Sequence, residues 1–81
     1  MQTIKFTESQ ILNNLVEDTE ISTKTFNYSD DKGNECCIDI YTPDNTISVY
    51  CSDPVLYTFC KMYTDSNLKR VVTDINKFFN S

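Results

Sequence analysis

Apolar positions along this chain change their period twice. Between Phe6 and Val16 the spacing is helical: Ile11, Leu12, Leu15 and Val16 form one stripe, Thr7 reads as an N-cap, Gln10 completes a capping box, and Phe6 can staple onto Ile11. This predicts a first helix ending near Asp18, with room for a short strand at 2–6 before it. From residue 21 the period drops to two. Segments 21–29 (ISTKTFNYS), 35–42 (ECCIDIYT) and 46–51 (TISVYC) alternate and are rich in Thr and aromatic residues, which predicts three strands. Helical spacing returns after Ser52. Asp53 as N-cap and Pro54 at the first helical position predict a second helix burying Val55, Leu56, Phe59, Cys60 and Tyr63. After a break at Thr64-Asp65-Ser66, an amphipathic pattern sets Leu68, Val71, Val72, Ile75, Phe78 and Phe79 on one side of a third helix, with Lys69, Arg70, Asp74 and Lys77 between them.

Turn chemistry then sets the pairing. A three-residue loop at Asp31-Lys32-Gly33, with Gly33 left-handed, places Phe26 opposite Ile38 and Tyr28 opposite Cys36. A two-residue turn at Asp44-Asn45 places Ile40 opposite Val49 and Ile38 opposite Cys51. Both hairpins put apolar residues on the same face. The expected fold is a single α+β domain over 1–81, a three-stranded antiparallel β-meander with helices packed on one face in the order α-β-β-β-α-α, without internal repeats. Its other face is free and carries Thr23, Thr25, Cys37, Asp39, Tyr41, Ser48 and Tyr50, with Tyr41 and Tyr50 as diagonal neighbours beside Asp39.

Composition removes most chemistry. There is no histidine among the 81 residues, so the usual general base near neutral pH, the commonest zinc ligand and the Ser-His and Cys-His pairs are all absent. One glycine excludes a phosphate-cradling loop. The acidic run around Gly33 is no calcium loop, because aligning Gly33 with the sixth position puts Tyr28 first and Lys32 fifth. Adjacent Cys36 and Cys37 point to opposite faces of a strand and cannot share an ion. The chain is therefore expected to bind and not to catalyse, with no metal and no cofactor. Cys51 and Cys60 are expected in the core, and Cys37 as the thiol most open to reagents.

Charge then points to a partner. Twelve acids against seven bases give a net charge of −5, which disfavours nucleic acid and anionic membranes and favours a basic protein surface. The basic residues Lys61, Lys69, Arg70 and Lys77 could touch nucleic acid, but such a stripe reads first as the wet side of an amphipathic helix, and the acidic remainder would repel a duplex. No basic segment followed by an apolar run opens the chain and no 18 apolar residues run together, which predicts a cytoplasmic location and reduced thiols. The expected contact surface is Asp30, Asp31, Glu35, Asp39, Tyr41, Asp44 and Tyr50.

In its order of one helix, three strands and two helices, its acidity and its Gly33-Asn34-Glu35 hairpin, the chain resembles phage-encoded anti-CRISPR inhibitors. That resemblance implies a stoichiometric inhibitor acting in a host cytoplasm, whose carboxylates occupy the nucleic-acid groove of a basic effector. The alternative is a small adaptor or accessory subunit, able to form a homodimer through the free sheet face or an edge strand, without nucleic-acid mimicry.

Overall fold

The computed structural model describes residues 4–65 and 67–80. In chain order the elements are α1 (Glu8–Leu12), β1 (Val16–Asp18), β2 (Thr23–Ser29), β3 (Glu35–Tyr41), β4 (Thr46–Ser52), β5 (Thr58–Tyr63) and α2 (Leu68–Phe79). The strands form one antiparallel sheet in sequential order. The α+β class and the meander hold, but the sheet has five strands where three were expected, and two helices replace three. Among the described residues no helix is long and apolar enough to cross a membrane.

Helix α1 begins as its cap requires, with Thr7 Oγ1 accepting from Gln10 N at 3.1 Å, an arrangement worth about 1 kcal/mol. It ends at Leu12, well short of Asp18. Asn13 and Asn14 compete with the helix for backbone groups, and the Asn14 side chain turns back to donate to Gln10 O at 2.7 Å. The stripe is therefore broken: Ile11 is buried, while Leu12 and Val16 are exposed and Val16 begins β1. Residues 4–6 form no strand, and residues 2–3 of the expected strand lie outside the described residues.

The largest departure is the expected second helix. Asp53 Oδ1 accepts from Val55 N at 3.0 Å, as an N-cap would, but also from Tyr57 N at 2.9 Å, one residue beyond an N-cap's reach. The chain turns back instead, with Asp53 N donating to Tyr57 O at 3.0 Å and Leu56 taking φ 69°. An N-cap followed by Pro and a side-chain-closed turn with Pro at its second position share the same local geometry, so the motif does not discriminate between them. The turn leads into β5, with Phe59, Lys61 and Tyr63 alternating on one face.

Register at the first hairpin is as expected, with Phe26 opposite Ile38, Tyr28 opposite Cys36 and Gly33 at φ 95°. At the second it is shifted by two residues. The loop spans Thr42–Asn45, Asn45 closes it at φ 54°, and Ile40 lies opposite Ile47 and Ile38 opposite Val49. A slip of two keeps every side chain on its face, so alternation cannot detect it.

The observed register also brings out a repeat where none was expected. β4 starts 23 residues after β2 (46 − 23) and β5 starts 23 after β3 (58 − 35). Thr23, Ser29, Asp30 and Cys37 recur at that interval as Thr46, Ser52, Asp53 and Cys60. The four hairpin loops accordingly form two matched pairs, one at each end of the sheet. At one end Thr42 N and Oγ1 both donate to Ser22 O, at 3.1 and 3.0 Å; at the other the Gly33 loop lies against Pro54.

The core sits on one side of the sheet. Phe26, Cys36, Ile38, Ile47, Val49, Cys51 and Tyr63 meet Phe6 and Ile11 from the N-terminal segment and Val71 and Ile75 from α2. Asn67 caps α2 by accepting from Arg70 N at 3.3 Å, and the amphipathic pattern expected over 68–79 is observed.

Candidate protein-binding face

Alternation and the observed register assign every strand side chain to one of two faces. Toward the helices point Lys24, Phe26, Tyr28, Cys36, Ile38, Ile40, Ile47, Val49, Cys51, Phe59, Lys61 and Tyr63, with Glu17 paired to Lys24 at the edge. The opposite face carries no helix among the described residues. Across its middle runs the row Val16, Thr25, Asp39, Ser48, Met62, with Asn27, Cys37, Tyr50 and Cys60 in the next row and Ser29, Glu35, Ser52 and Thr58 in the one beyond.

Charge is segregated by this division. The two strand lysines, Lys24 and Lys61, both lie on the helix side, whereas the ionised side chains of the bare side are the carboxylates Asp18, Glu35 and Asp39. Asp39 is fixed at the centre. Its Oδ1 accepts from Thr25 Oγ1 at 2.7 Å and its Oδ2 lies 3.9 Å from the Cys37 sulfur. Burial and the neighbouring Asp39 charge push the Cys37 thiol up from its ordinary value, so it resists ionising.

The expected contact residues are brought together only in part. Asp39 lies between Tyr41 and Tyr50, but the register separates the two tyrosines by a full row, so they are not diagonal neighbours. Tyr50 is 45 % exposed and Tyr41 is half-buried. Glu35 and Asp31 stand at one end of the sheet and Asp44, in the Thr42–Asn45 loop, at the other. Thr23, expected to be open on this face, is buried.

Asp30 belongs to the loop itself. Its Oδ1 accepts from Lys32 N and Asn34 N, both at 3.0 Å, and its Oδ2 from Asn34 Nδ2 at 2.9 Å and Tyr28 Oη at 3.1 Å. These hydrogen bonds, the Asn34 amide first, hold its carboxyl below the usual aspartate value. Its acceptor directions are occupied inside the turn.

Two features of the surface were missed. Val55 and Leu56, expected on a buried helix face, and the adjacent Tyr57 are 70 %, 81 % and 70 % exposed at the β4–β5 tip, at the same end as Asp31 and Glu35. Three exposed large apolar residues in a row are costly unless they meet a partner. Cys60, expected in the core, is exposed on the bare face, while Cys37 is half-buried. Recognising residues 58–63 as a strand, which its Thr-Phe-Cys-Lys-Met-Tyr composition allows, would have found both.

A depression of about 350 Å³ opens beside Asn27, Glu35, Cys37 and Tyr50. Among the described residues no group of His, Cys, Asp or Glu is gathered to hold a metal ion. No family model, curated protein or solved structure matches this chain.

Proposed function

We propose that this chain is a non-catalytic binding domain whose bare, acid-lined sheet face engages a basic surface of a partner protein. The observation that carries this reading is the charge segregation of the strands, with both lysines on the helix side and Asp18, Glu35 and Asp39 on the open side. Tyr50 and Tyr41 add rigid amphipathic area around Asp39. The Val55–Tyr57 tip adds an apolar anchor at the Glu35 end.

A surface that normally receives phosphates fits such a face best, because carboxylates on a rigid sheet present anionic acceptors without the cost of ordering them. The corresponding activity is stoichiometric inhibition or modulation of a nucleic-acid-binding effector, as in phage anti-defence proteins. A plain adaptor role is the second reading. It is favoured by the uncharged apolar tip, which would bind with little dependence on salt.

Comparative capture from the native host separates them. Wild-type protein is compared with Glu35→Gln/Asp39→Asn/Tyr50→Ala and with a Lys69→Glu control, at salt from about 50 to about 300 mM. A partner lost in the triple variant, kept by the control, released by salt and displaced by duplex nucleic acid supports mimicry. Binding indifferent to salt and nucleic acid but lost with Leu56→Asp supports the adaptor. Retention by every variant overturns both.

A further inference from the structure

Cys36 and Cys51 stand directly opposite one another on β3 and β4, on the core side of the sheet, with their sulfurs 3.6 Å apart. The phase of the ladder is set by Asp53 N donating to Tyr57 O. Counting back from that bonded pair, residues 51, 49 and 47 exchange hydrogen bonds with β5, and residues 52, 50 and 48 with β3. Cys36 and Cys51 are therefore a non-hydrogen-bonded pair, the antiparallel position at which Cα atoms approach to about 4.5 Å and side chains lie closest. That spacing is within the range a disulfide requires, about 4.4–6.8 Å between Cα atoms.

We propose that Cys36 and Cys51 are a disulfide-forming modification site, oxidised by exchange with a low-molecular-weight disulfide. One cysteine thiolate attacks a sulfur of the small disulfide, forming a mixed disulfide and expelling one small thiolate. The second cysteine sulfur then displaces the other small thiol, closing the Cys36–Cys51 bond. The protein loses two electrons and two thiol protons, and the small disulfide is reduced to two thiols.

The neighbouring thiols do not compete. Cys37 projects from the opposite face of the same strand, and Cys60 lies on that face across β4. Cys36 and Cys51 are 2 % and 0 % exposed, so a small disulfide cannot reach either sulfur in the closed fold. Exchange therefore proceeds while the β3–β4 hairpin is open, during folding or in local unfolding. Once closed, the bond ties positions 15 residues apart and restricts the unfolded chain.

The test uses full-length Cys37→Ser/Cys60→Ser protein, which retains only this pair, refolded from denaturant in a mixture of oxidised and reduced glutathione. The expected product is monomeric, about 2 Da lighter than the reduced chain and unreactive to maleimide until reduced. Its thermal midpoint should lie about 10 °C or more above that of the reduced form. Wild-type protein treated likewise should yield the Cys36–Cys51 linkage on fragmentation, so the proposal remains testable if the double variant folds poorly. Two free thiols, glutathione adducts or intermolecular dimers as the stable products would overturn it, as would a linked monomer that melts below the reduced one.

Discussion

Gly33 and Leu56 occupy the same position in two hairpin loops of identical hydrogen-bonding pattern, at φ 95° and 69°. In each loop an aspartate Oδ1, from Asp30 or Asp53, accepts from the amides two and four residues on. One loop has the residue suited to left-handed backbone and the other does not. Leu56→Gly should therefore stabilise the domain by about 1 kcal/mol in urea unfolding, because an exposed leucine has no burial to offset its conformation. Gly33→Ala should destabilise by a similar amount, about 1 kcal/mol. If Leu56→Gly is stabilising and also weakens partner capture, the leucine is retained for contact and not for the fold.

Asn76 anchors the N-terminal segment to α2 by standing in for a strand partner. Its Oδ1 accepts from Phe6 N at 2.7 Å and its Nδ2 donates to Phe6 O at 2.9 Å. Asn76→Ala leaves both backbone groups of a buried residue without this partner and should cost about 2 kcal/mol. Hydrogen exchange at the Phe6 amide should rise by more than the global loss explains. Asn76→Asp keeps only the acceptor and should not restore stability.

Tyr63 donates to Asp74 Oδ2 at 2.6 Å from a buried position, and Lys61 Nζ lies 3.5 Å from the same oxygen. Burial, then the hydrogen bond and the Asp74 charge, raise the phenol above its ordinary value of 10.0. The stabilisation is therefore fully present below about pH 10 and is lost as pH rises above it toward the folded-state value. Tyr63→Phe should cost about 1–2 kcal/mol at neutral pH. Its unfolding midpoint should also decline less than wild type between about pH 9.5 and 11.5.

Thiol labelling of the native protein should be ordered by exposure and ionisation. Cys60, exposed on the bare face, should react first; Cys37, half-buried and raised by burial and Asp39, should follow slowly. Cys36 and Cys51 should react only on unfolding. Asp39→Asn removes the charge beside Cys37 and should speed its labelling several-fold. Equal rates at Cys37 and Cys60 would contradict the geometry.

Much of the fold was legible because some signals admit one outcome. Gly33 after Asp31-Lys32 permits a three-residue hairpin, and the predicted register of β2 on β3 is the observed one. The period of α2 was equally decisive, with Val71 and Ile75 buried at its centre. Other signals were locally degenerate. Asp53-Pro54 begins a helix or a tight turn with the same first contacts, and Val55, Leu56, Phe59, Cys60 and Tyr63 fit helical spacing while Phe59, Lys61 and Tyr63 fit strand spacing. The element order that suggested anti-CRISPR inhibitors rested on that ambiguous stretch, and the five-stranded sheet does not share it.

By itself the sequence determined the class of structure, the side of each of the three recognised strands that faces the core and the lack of a histidine-based catalytic device, because periodicity and composition are local properties. Tertiary structure decided the rest. Only the available edge of β4 makes 58–63 a strand, since its outward-facing N–H and C=O groups need a partner that a neighbouring helix would not supply. Only the resulting sheet aligns Cys36 with Cys51 and sorts the strand charges so that one side holds both lysines and the other carboxylates alone, because pairing across a ladder is set by register, which alternation fixes no more closely than two residues.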